Sequence, residues 1–225
     1  MSADSPLLQS LDGILFDLDG TLLDTAPDLV NALNIVCREQ SVEPPEFIKA
    51  ARQVSNGAIG LTRLAFPEEN ETTLTELCAR LVEVYAENIC VHTRPYPGMQ
   101  EVIDHLNAEN ITWGVVTNKK RFLAMPILEA LDLLRHCKVV VGGDTAERIK
   151  PHPDPILLAL NELQLAAESV VYVGDHQKDV TAGQSAGTRT IAVSWGYTID
   201  GEDPTRWGAD YTIDHPGELL KLASL

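Results

Sequence analysis

The stretch DGILFDLDGTLLDT, residues 12–25, determines how the rest of the sequence is interpreted. It begins with a short apolar run of strand length and continues into an acidic turn. Asp17 and Asp19 are two positions apart on an extended segment, so their side chains point to the same side. Gly20 then permits a sharp turn, which Thr21 can fix by hydrogen bonding to nearby backbone. The stretch therefore predicts a strand that presents two converging carboxylates at its carboxyl end.

Similar apolar runs recur along the chain and alternate with helical patterns in its second half. An order of strand, helix, strand is typical of a parallel sheet covered by helices on both faces. The sequence therefore predicts an α/β fold. The predicted strands are 12–17, 112–116, 138–141, 170–173 and 190–193, and the predicted helices between them are 99–108, 122–131, 155–163 and 180–186.

The segment 24–95 interrupts this alternation. It contains several helical patterns, notably 29–38 and 74–88, and no convincing strand. Two prolines and a glycine in residues 93–98 make a stiff connector at its exit. The segment is predicted to be a helical cap inserted after the first strand. The expected domains are a core of residues 1–23 and 96–225 and a cap of residues 24–95.

Polar residues follow the ends of the predicted strands. Because open α/β sheets bind ligands beyond the carboxyl ends of their strands, these positions are candidates for a functional site. Asp17 and Asp19 follow the first strand. The others are Thr117 and Asn118 after the second strand, Lys150 after the third strand and its loop, and Asp175 and Asp179 after the fourth.

Two carboxylates held close together repel unless a cation lies between them or one is protonated. Both conditions suit phosphoryl transfer. Asp17 and Asp175 could give Mg²⁺ carboxylate oxygens, and Asp17 could itself accept a phosphoryl group. A protonated Asp19 could donate to the leaving oxygen and later deprotonate the attacking water. The phosphoryl oxygens are expected to be held by Thr117, the backbone N–H of Asn118 and Lys150.

Four short motifs resemble those of the haloacid dehalogenase superfamily and occur in the same order. They are FDLDGTLLDT at 16–25, VTN at 116–118, KPHP at 150–153 and GDHQKD at 174–179. The resemblance spans nearly the whole chain, from Gly13 to about Asp214.

This resemblance implies a Rossmann-like core with a helical cap inserted after the first motif. It implies a catalytic Asp17 and a Mg²⁺ site formed by Asp17, the Asp19 carbonyl and Asp175. Asp179 is expected to be either a metal ligand or a neighbour of the site that anchors Lys150.

Several residues also have a purely structural interpretation. Asp24 and Asp28 are interpreted as structural, since Asp24 or Thr25 could cap the helix that follows. His176 is expected to be exposed or at the rim of the site, because oxygen ligands for Mg²⁺ are already available.

In the cap, Ser55, Asn56 and Arg63 form a polar, turn-prone cluster that could contact the substrate. Arg63 could equally be a solvated helix residue. The hinge segment 92–94, which contains Arg94, is a second candidate for contacts with the substrate.

The composition restricts the classes of partner. The 33 acidic and 17 basic side chains give a formal charge of −16, which disfavours nucleic acids and anionic membranes. The first basic residue is Arg38 and no apolar run approaches membrane-spanning length, so a cytoplasmic location is expected.

The four cysteines are expected to be free thiols, mostly in the core. The oligomeric state is left open.

Several functions compete within this framework. Asp19 argues against the dehalogenase branch, which lacks this second acid. A phosphomutase of the β-phosphoglucomutase type shares the same motifs and stays open. A non-enzymatic module that binds Mg²⁺ and phosphate would have to explain why every reactive residue is present.

The favoured function is hydrolysis of a small phosphorylated metabolite. Residues 113–119, 186–190 and 207–210 resemble the phosphoglycolate phosphatase group and, more narrowly, the bacterial N-acetylmuramic acid 6-phosphate phosphatases of cell-wall recycling. The sugar acid is the first expectation for the substrate, and 2-phosphoglycolate is the alternative.

Overall fold

The computed structural model describes residues 11–199 and 202–223. Its strands are β1 Gly13–Phe16, β2 Leu23–Asp24, β3 Arg94–Pro95, β4 Thr112–Val116, β5 Val140–Val141, β6 Val170–Gly174, β7 Arg189–Val193 and β8 Tyr211–Ile213. Six of them form one sheet in the order β5-β4-β1-β6-β7-β8, in which every neighbouring pair is parallel. The predicted α/β fold with a parallel sheet is confirmed.

Helices cover both faces of this sheet. The helices of the core are α5 Met99–Ala108, α6 Arg121–Ala130, α7 Asp154–Leu163, α8 Gln177–Ala186 and α9 Glu218–Ala223. Alternate residues of β1 enter different apolar clusters: Ile14 and Phe16 pack with residues of α5 and α6, whereas Leu15 packs with residues of α7 and α8. Since a strand directs successive side chains to opposite faces, burial on both sides explains why β1 is apolar throughout.

The segment between β2 and β3 is helical. It comprises α1 Ala26–Glu39, α2 Phe47–Ala51, a 3₁₀ turn at Val54–Asn56, α3 Gly57–Ala65 and α4 Glu71–Glu87. We call this segment the cap. Leu33 and Val36 of α1 and Leu77 and Leu81 of α4 are buried in the same apolar cluster, which continues into the core.

The chain enters and leaves the cap through two strands that lie side by side. Leu23 pairs with Pro95 and Asp24 with Arg94 in a two-strand antiparallel sheet. The expectation that residues 24–95 contain no strand was therefore wrong at both ends. Two-residue strands have no alternating pattern of their own, and this pairing depends on the cap bringing distant segments together. The third strand absent from the prediction, β8, has only three residues.

Buried side chains hold these connections in place. The Asp28 carboxylate accepts hydrogen bonds from the backbone N–H groups of His92 and Thr93 and from the Thr93 hydroxyl, at 2.7–3.0 Å. The Tyr197 hydroxyl donates to Asp24 at 2.7 Å and accepts from the backbone N–H groups of Thr25 and of Ala26, the first residue of α1. Thr25 stands at the N-cap of α1 but does not cap it with its side chain. Tyr197 instead satisfies the N–H of Thr25 itself and that of the first helical residue.

The four cysteines are free. Cys37 is buried, whereas Cys78, Cys90 and Cys137 are partly exposed, so only one lies fully in the core. Among residues 11–199 and 202–223, no helix has the length and apolarity needed to cross a bilayer.

Candidate active site

The carboxyl ends of β1, β4 and β6 bring the predicted site residues to one edge of the sheet. Phe16 is in register with Val115 on one side and with Val173 on the other. The next backbone N–H, that of Asp17, still donates to Val173, at 2.9 Å. The sheet therefore places Asp17 between the carboxyl ends of β4 and β6, which are followed by Thr117 and Asp175.

Lys150 lies at the centre of this group. Its side chain is fully buried, and its ammonium is 2.9 Å from Asp17 Oδ1 and 2.7 Å from Asp179 Oδ1. It also donates to the Tyr172 hydroxyl at 2.8 Å and to the Val116 carbonyl at 3.2 Å. One cation thus pairs with two buried carboxylates and offsets one of their two charges, and the suggested contact between Asp179 and Lys150 is present in the structure.

Asn118 positions the backbone of Lys150. Its side-chain oxygen accepts from the Lys150 N–H and its side-chain nitrogen donates to the Lys150 carbonyl, both at 3.0 Å. The Thr117 hydroxyl accepts from the Lys119 N–H at 3.2 Å. The Asn118 side chain is therefore used to orient a neighbouring loop, a role that the sequence did not indicate.

Asp175 completes an acidic cluster. One carboxylate oxygen from each of Asp17, Asp175 and Asp179 lies within 4.8 Å of the others, and all three residues are buried. Asp175 accepts hydrogen bonds from the Tyr197 N–H at 2.9 Å and the Thr21 hydroxyl at 3.3 Å. Three carboxylates around one buried lysine leave an excess of negative charge, and hard oxygen donors are the set that a divalent cation such as Mg²⁺ prefers.

The backbone packs tightly against Asp175. Gly20 has φ of +84°, and a Cβ atom at this position would overlap the Asp175 carboxylate. A Cβ atom at Gly196 would meet the same side chain. The turn after β1 therefore needs glycine both for its left-handed conformation and for its close approach to an acidic side chain.

The charges of the cluster shift its proton affinities in different directions. Burial raises the pKa of the Asp17 carboxyl, but the nearby Lys150 and Lys178 ammonium groups outweigh it, so that pKa lies below its ordinary value. Asp175 has no ion-pair partner among the described residues. Burial, with the charges of Asp17 and Asp179, raises its pKa to about 7.

Asp19 has different partners from this cluster and contacts a second lysine. Its Oδ1 is 2.6 Å from the Lys119 ammonium and accepts from the Thr25 hydroxyl at 2.5 Å. Lys119 also lies over the ring of Tyr85, in helix α4 of the cap, at 4.8 Å. Burial disfavours the charged lysine, but the Asp19 charge outweighs this effect and raises its pKa.

The cap reaches the acidic cluster through Ser55. The Ser55 hydroxyl donates to Asp175 at 3.2 Å, and the Ser55 carbonyl accepts from the Lys178 ammonium. The structure does not bring Asn56 and Arg63 to this place. The Asn56 amide donates to Gln53, and Arg63 pairs with the exposed Glu71 at 3.0 Å, both within the cap. These two residues instead line a hollow of about 450 Å³ on the cap.

Comparison with known proteins agrees with this geometry. The family model of the haloacid dehalogenase-like hydrolases matches residues 14–193. The chain belongs to this family. It is 37% identical over 213 residues to the N-acetylmuramic acid 6-phosphate phosphatase of Pseudomonas putida. The aligned region covers 94% of this chain and 96% of that protein.

A second relative has a different substrate in its name. The chain is 34% identical over 211 residues to the phosphoglycolate phosphatase of Xanthomonas campestris. The aligned region covers 94% of this chain and 96% of that protein. The fold is similar to the crystal structure of a predicted phosphoglycolate phosphatase from Haemophilus somnus, with a TM-score of 0.86, 28% identity and coverage of 95% and 98%. This haloacid dehalogenase-like hydrolase is a phosphoric monoester hydrolase of the phosphoglycolate phosphatase-like type.

His176 has a structural contact in this hydrolase that the sequence did not indicate. Its Nδ1 accepts from the Lys178 N–H at 3.1 Å, while the Asp179 carboxylate accepts from the His176 N–H at 3.0 Å. Together they form a capping box at the start of α8. This explains why α8 begins three residues earlier than its apolar pattern predicts.

Three further residues at the site were not identified from the sequence. Lys119 and Lys178 stand next to or inside recognised motifs, so their charge was an available signal. Tyr197 is far from every motif, and its backbone contact with Asp175 depends on the path of the loop after β7. Nothing in the local sequence indicates such a contact.

The metal-free protein is expected to lose stability as the pH rises from about 4 to about 7. The Asp175 pKa is raised from 3.8 to about 7 in the folded state, so in this interval the folded state binds more protons than the unfolded state. Added Mg²⁺ should therefore raise the melting temperature more near pH 8 than near pH 5, because the metal takes the place of the proton. Thermal unfolding with EDTA or Mg²⁺ at the two pH values measures both effects.

Asp175→Asn provides the matched control, because it keeps the shape of the side chain and removes its ionisation. This variant should show a weaker pH dependence and little response to Mg²⁺. If the melting temperature changed equally with pH in wild type and in Asp175→Asn, the assignment of the effect to Asp175 would be contradicted.

Proposed function

We propose that this phosphatase hydrolyses its substrate in two steps, through a phosphoryl group carried on Asp17. The observation that supports this most is the position of Asp17 at the carboxyl edge of the sheet, in contact with Lys150 and beside two more buried carboxylates. A lowered pKa keeps the Asp17 carboxylate ionised and able to attack phosphorus.

Asp19 is the proposed acid and base. It stands two residues after Asp17 but is held by different partners, Lys119 and Thr25. In the first step an Asp17 oxygen bonds to phosphorus, the bond from phosphorus to the leaving oxygen breaks, and the protonated Asp19 carboxyl gives its proton to that oxygen. In the second step water bonds to phosphorus, the bond from phosphorus to Asp17 breaks, and Asp19 takes a proton from the water. Inorganic phosphate is released, and both Asp17 and the protonated Asp19 are restored.

The proposed cofactor is Mg²⁺, held by Asp17, Asp175 and the backbone carbonyl of Asp19, with Asp179 beside it. The cation would offset the charge on the transferring phosphoryl group. Thr117, the N–H of Asn118 and Lys150 bind and orient the phosphoryl oxygens. Lys150 also keeps Asp17 in position for attack, because Asp179 and Tyr172 hold its ammonium from the other side.

The first candidate for the substrate is N-acetylmuramic acid 6-phosphate, in cell-wall recycling. The relatives with this name are 36–37% identical over nearly the whole chain, which supports this choice. 2-Phosphoglycolate is the second candidate, because relatives with that name are 33–36% identical. Both compounds are phosphomonoesters that carry a carboxylate.

The purified protein is expected to hydrolyse both compounds when Mg²⁺ is present, with a higher kcat/KM for N-acetylmuramic acid 6-phosphate. EDTA should silence the enzyme and Mg²⁺ should restore it. Ca²⁺ should inhibit, because its larger and looser coordination disturbs in-line transfer. Steady-state phosphate release with each substrate and metal measures all of these.

Each alternative has its own outcome in this experiment. A preference for 2-phosphoglycolate reverses the order of the substrates and keeps the mechanism. Isomerisation of a sugar phosphate without release of phosphate would identify a mutase. Binding of phosphate and Mg²⁺ with no turnover of any phosphomonoester would contradict the enzymatic proposal, and full activity in Ca²⁺ would contradict the role of the metal.

A further inference from the structure

Lys119 lies where the cap meets the core. It follows β4 in the loop that also contains Thr117 and Asn118, and its side chain is only 6% exposed. The ammonium is 2.6 Å from Asp19 Oδ1 on the core side and 4.8 Å from the centre of the Tyr85 ring on the cap side. A substrate that enters between cap and core and reaches Asp19 must therefore pass next to this cation.

The charge of Lys119 is balanced by one carboxylate. In the part of the chain that the structure describes, its only ion pair is with Asp19. Lys150, by comparison, has Asp17 and Asp179 as partners. The ring face of Tyr85 attracts a cation but contributes no net charge. A second anion beside Lys119 would therefore be stabilised, whereas an apolar group in its place would displace favourable contacts.

The distances determine which part of a substrate comes near Lys119. The leaving oxygen must lie within hydrogen-bond reach of the Asp19 carboxyl, and Lys119 contacts the same carboxyl. Two consecutive hydrogen bonds place the ammonium within about 6 Å of the leaving oxygen. The transferring phosphoryl group lies on the opposite side, at Asp17 and Lys150. Lys119 therefore faces the organic part of the substrate.

Other cations that could meet an anionic group there have partners elsewhere. Arg63 pairs with Glu71, and Arg94 donates to the Thr93 carbonyl at 2.6 Å. The Lys178 ammonium donates to the backbone carbonyl of Ser55, which is neutral like the Thr93 carbonyl. Lys178 and Arg94 are therefore the remaining competitors for the role, and an experiment has to separate both from Lys119.

We propose that Lys119 is a specificity-determining residue that binds the carboxylate of the substrate. This inference rests on the proposed function and deepens it, because it selects phosphomonoesters whose organic part carries a carboxylate over neutral ones. When the substrate is bound, the ammonium lies between two carboxyl groups, that of Asp19 and that of the ligand. The arrangement also gives an acidic protein a local means of attracting an anionic metabolite.

The test uses pairs of substrates that differ in the carboxylate. N-acetylmuramic acid 6-phosphate is paired with N-acetylglucosamine 6-phosphate, which lacks the lactyl group, and 2-phosphoglycolate is paired with ethyl phosphate. Lys119→Met removes the charge and keeps most of the length of the side chain. It should reduce the kcat/KM preference for the carboxylate member of each pair by about 10- to 100-fold, the value of a hydrogen bond to a charged group.

The ratio within each pair separates recognition from a general effect. Lys119 also holds Asp19, so Lys119→Met lowers activity on every substrate. An effect through Asp19 alone would lower kcat/KM equally for the two substrates of a pair and leave their ratio unchanged. Lys119→Arg keeps the charge and should keep the preference. Lys120→Met removes an exposed charge one residue further along and should leave the ratio as in wild type.

Two results would overturn the proposal. One is an equal loss in both members of each pair for Lys119→Met. The other is a collapse of the ratio in Lys178→Met or in Arg94→Met and not in Lys119→Met. If wild-type protein with Mg²⁺ hydrolyses none of the four compounds, the proposed function itself fails, and this outcome is distinct from the other two.

Discussion

Asp17→Asn is expected to abolish phosphatase activity, with a loss of roughly 10³-fold or more, as for the removal of a nucleophile in other enzymes. The amide keeps the size and shape of the carboxylate but cannot accept a phosphoryl group, and it removes one of the three buried acids. The fold should survive, because the amide fills the same space and Lys150 keeps Asp179 as its ion-pair partner. Phosphate release under saturating substrate, together with circular dichroism, measures the two effects.

Asp12→Asn is the matched control for this variant. It makes the same change five residues earlier, at an exposed position before β1. Its activity should equal that of wild type. If Asp17→Asn kept more than about a hundredth of wild-type turnover, the assignment of the nucleophile would be wrong.

Lys150→Met is expected to destabilise the fold as well as inactivate the enzyme. The Lys150 ammonium is fully buried and pairs with both Asp17 and Asp179, at 2.9 and 2.7 Å. Removing one partner of a buried ion pair leaves an uncompensated charge and costs about 3–5 kcal/mol in the free energy of unfolding. For a chain of this size the melting temperature should fall by about 10 °C. Mg²⁺ should recover part of the stability but none of the activity.

A second substitution tests whether charge is the cause. The double variant Lys150→Met with Asp179→Asn removes the cation and one of its two partners, so it should be more stable than Lys150→Met alone. Chemical unfolding of the four proteins gives the coupling between the two positions. If the loss of stability in the double variant, relative to wild type, equalled the sum of the losses in the two single variants, the contacts of Lys150 would act independently of charge.

The parts of the fold that could be predicted from sequence depend on local patterns. β1, β4 and β6 are apolar because both of their faces are buried, and the residues after them carry the polar chemistry, so the edge of the sheet could be inferred. The geometry is consistent with most of the predicted site, but the roles of its residues stay predictions until they are tested.

The remainder depends on contacts between segments that are distant in sequence. Ser55 meets Asp175 across 120 positions, and Tyr197 meets Asp24 across 173. No local pattern predicts either contact. Arg63 shows the opposite problem: its charge made it a candidate for substrate binding, yet a nearby acid on the cap pairs with it. The pairing of Lys119 with Asp19 depends on which parallel strands are neighbours in the sheet.

The side-by-side arrangement of β2 and β3 has a consequence for the evolution of such enzymes. Because Leu23 pairs with Pro95 and Asp24 with Arg94, the chain leaves the core and returns to it at the same place. For the core, the whole insertion is equivalent to a short hairpin. Its sequence and length can therefore change without moving the catalytic edge of the sheet. A lineage can acquire new substrates by altering the insertion while the phosphoryl chemistry is inherited unchanged.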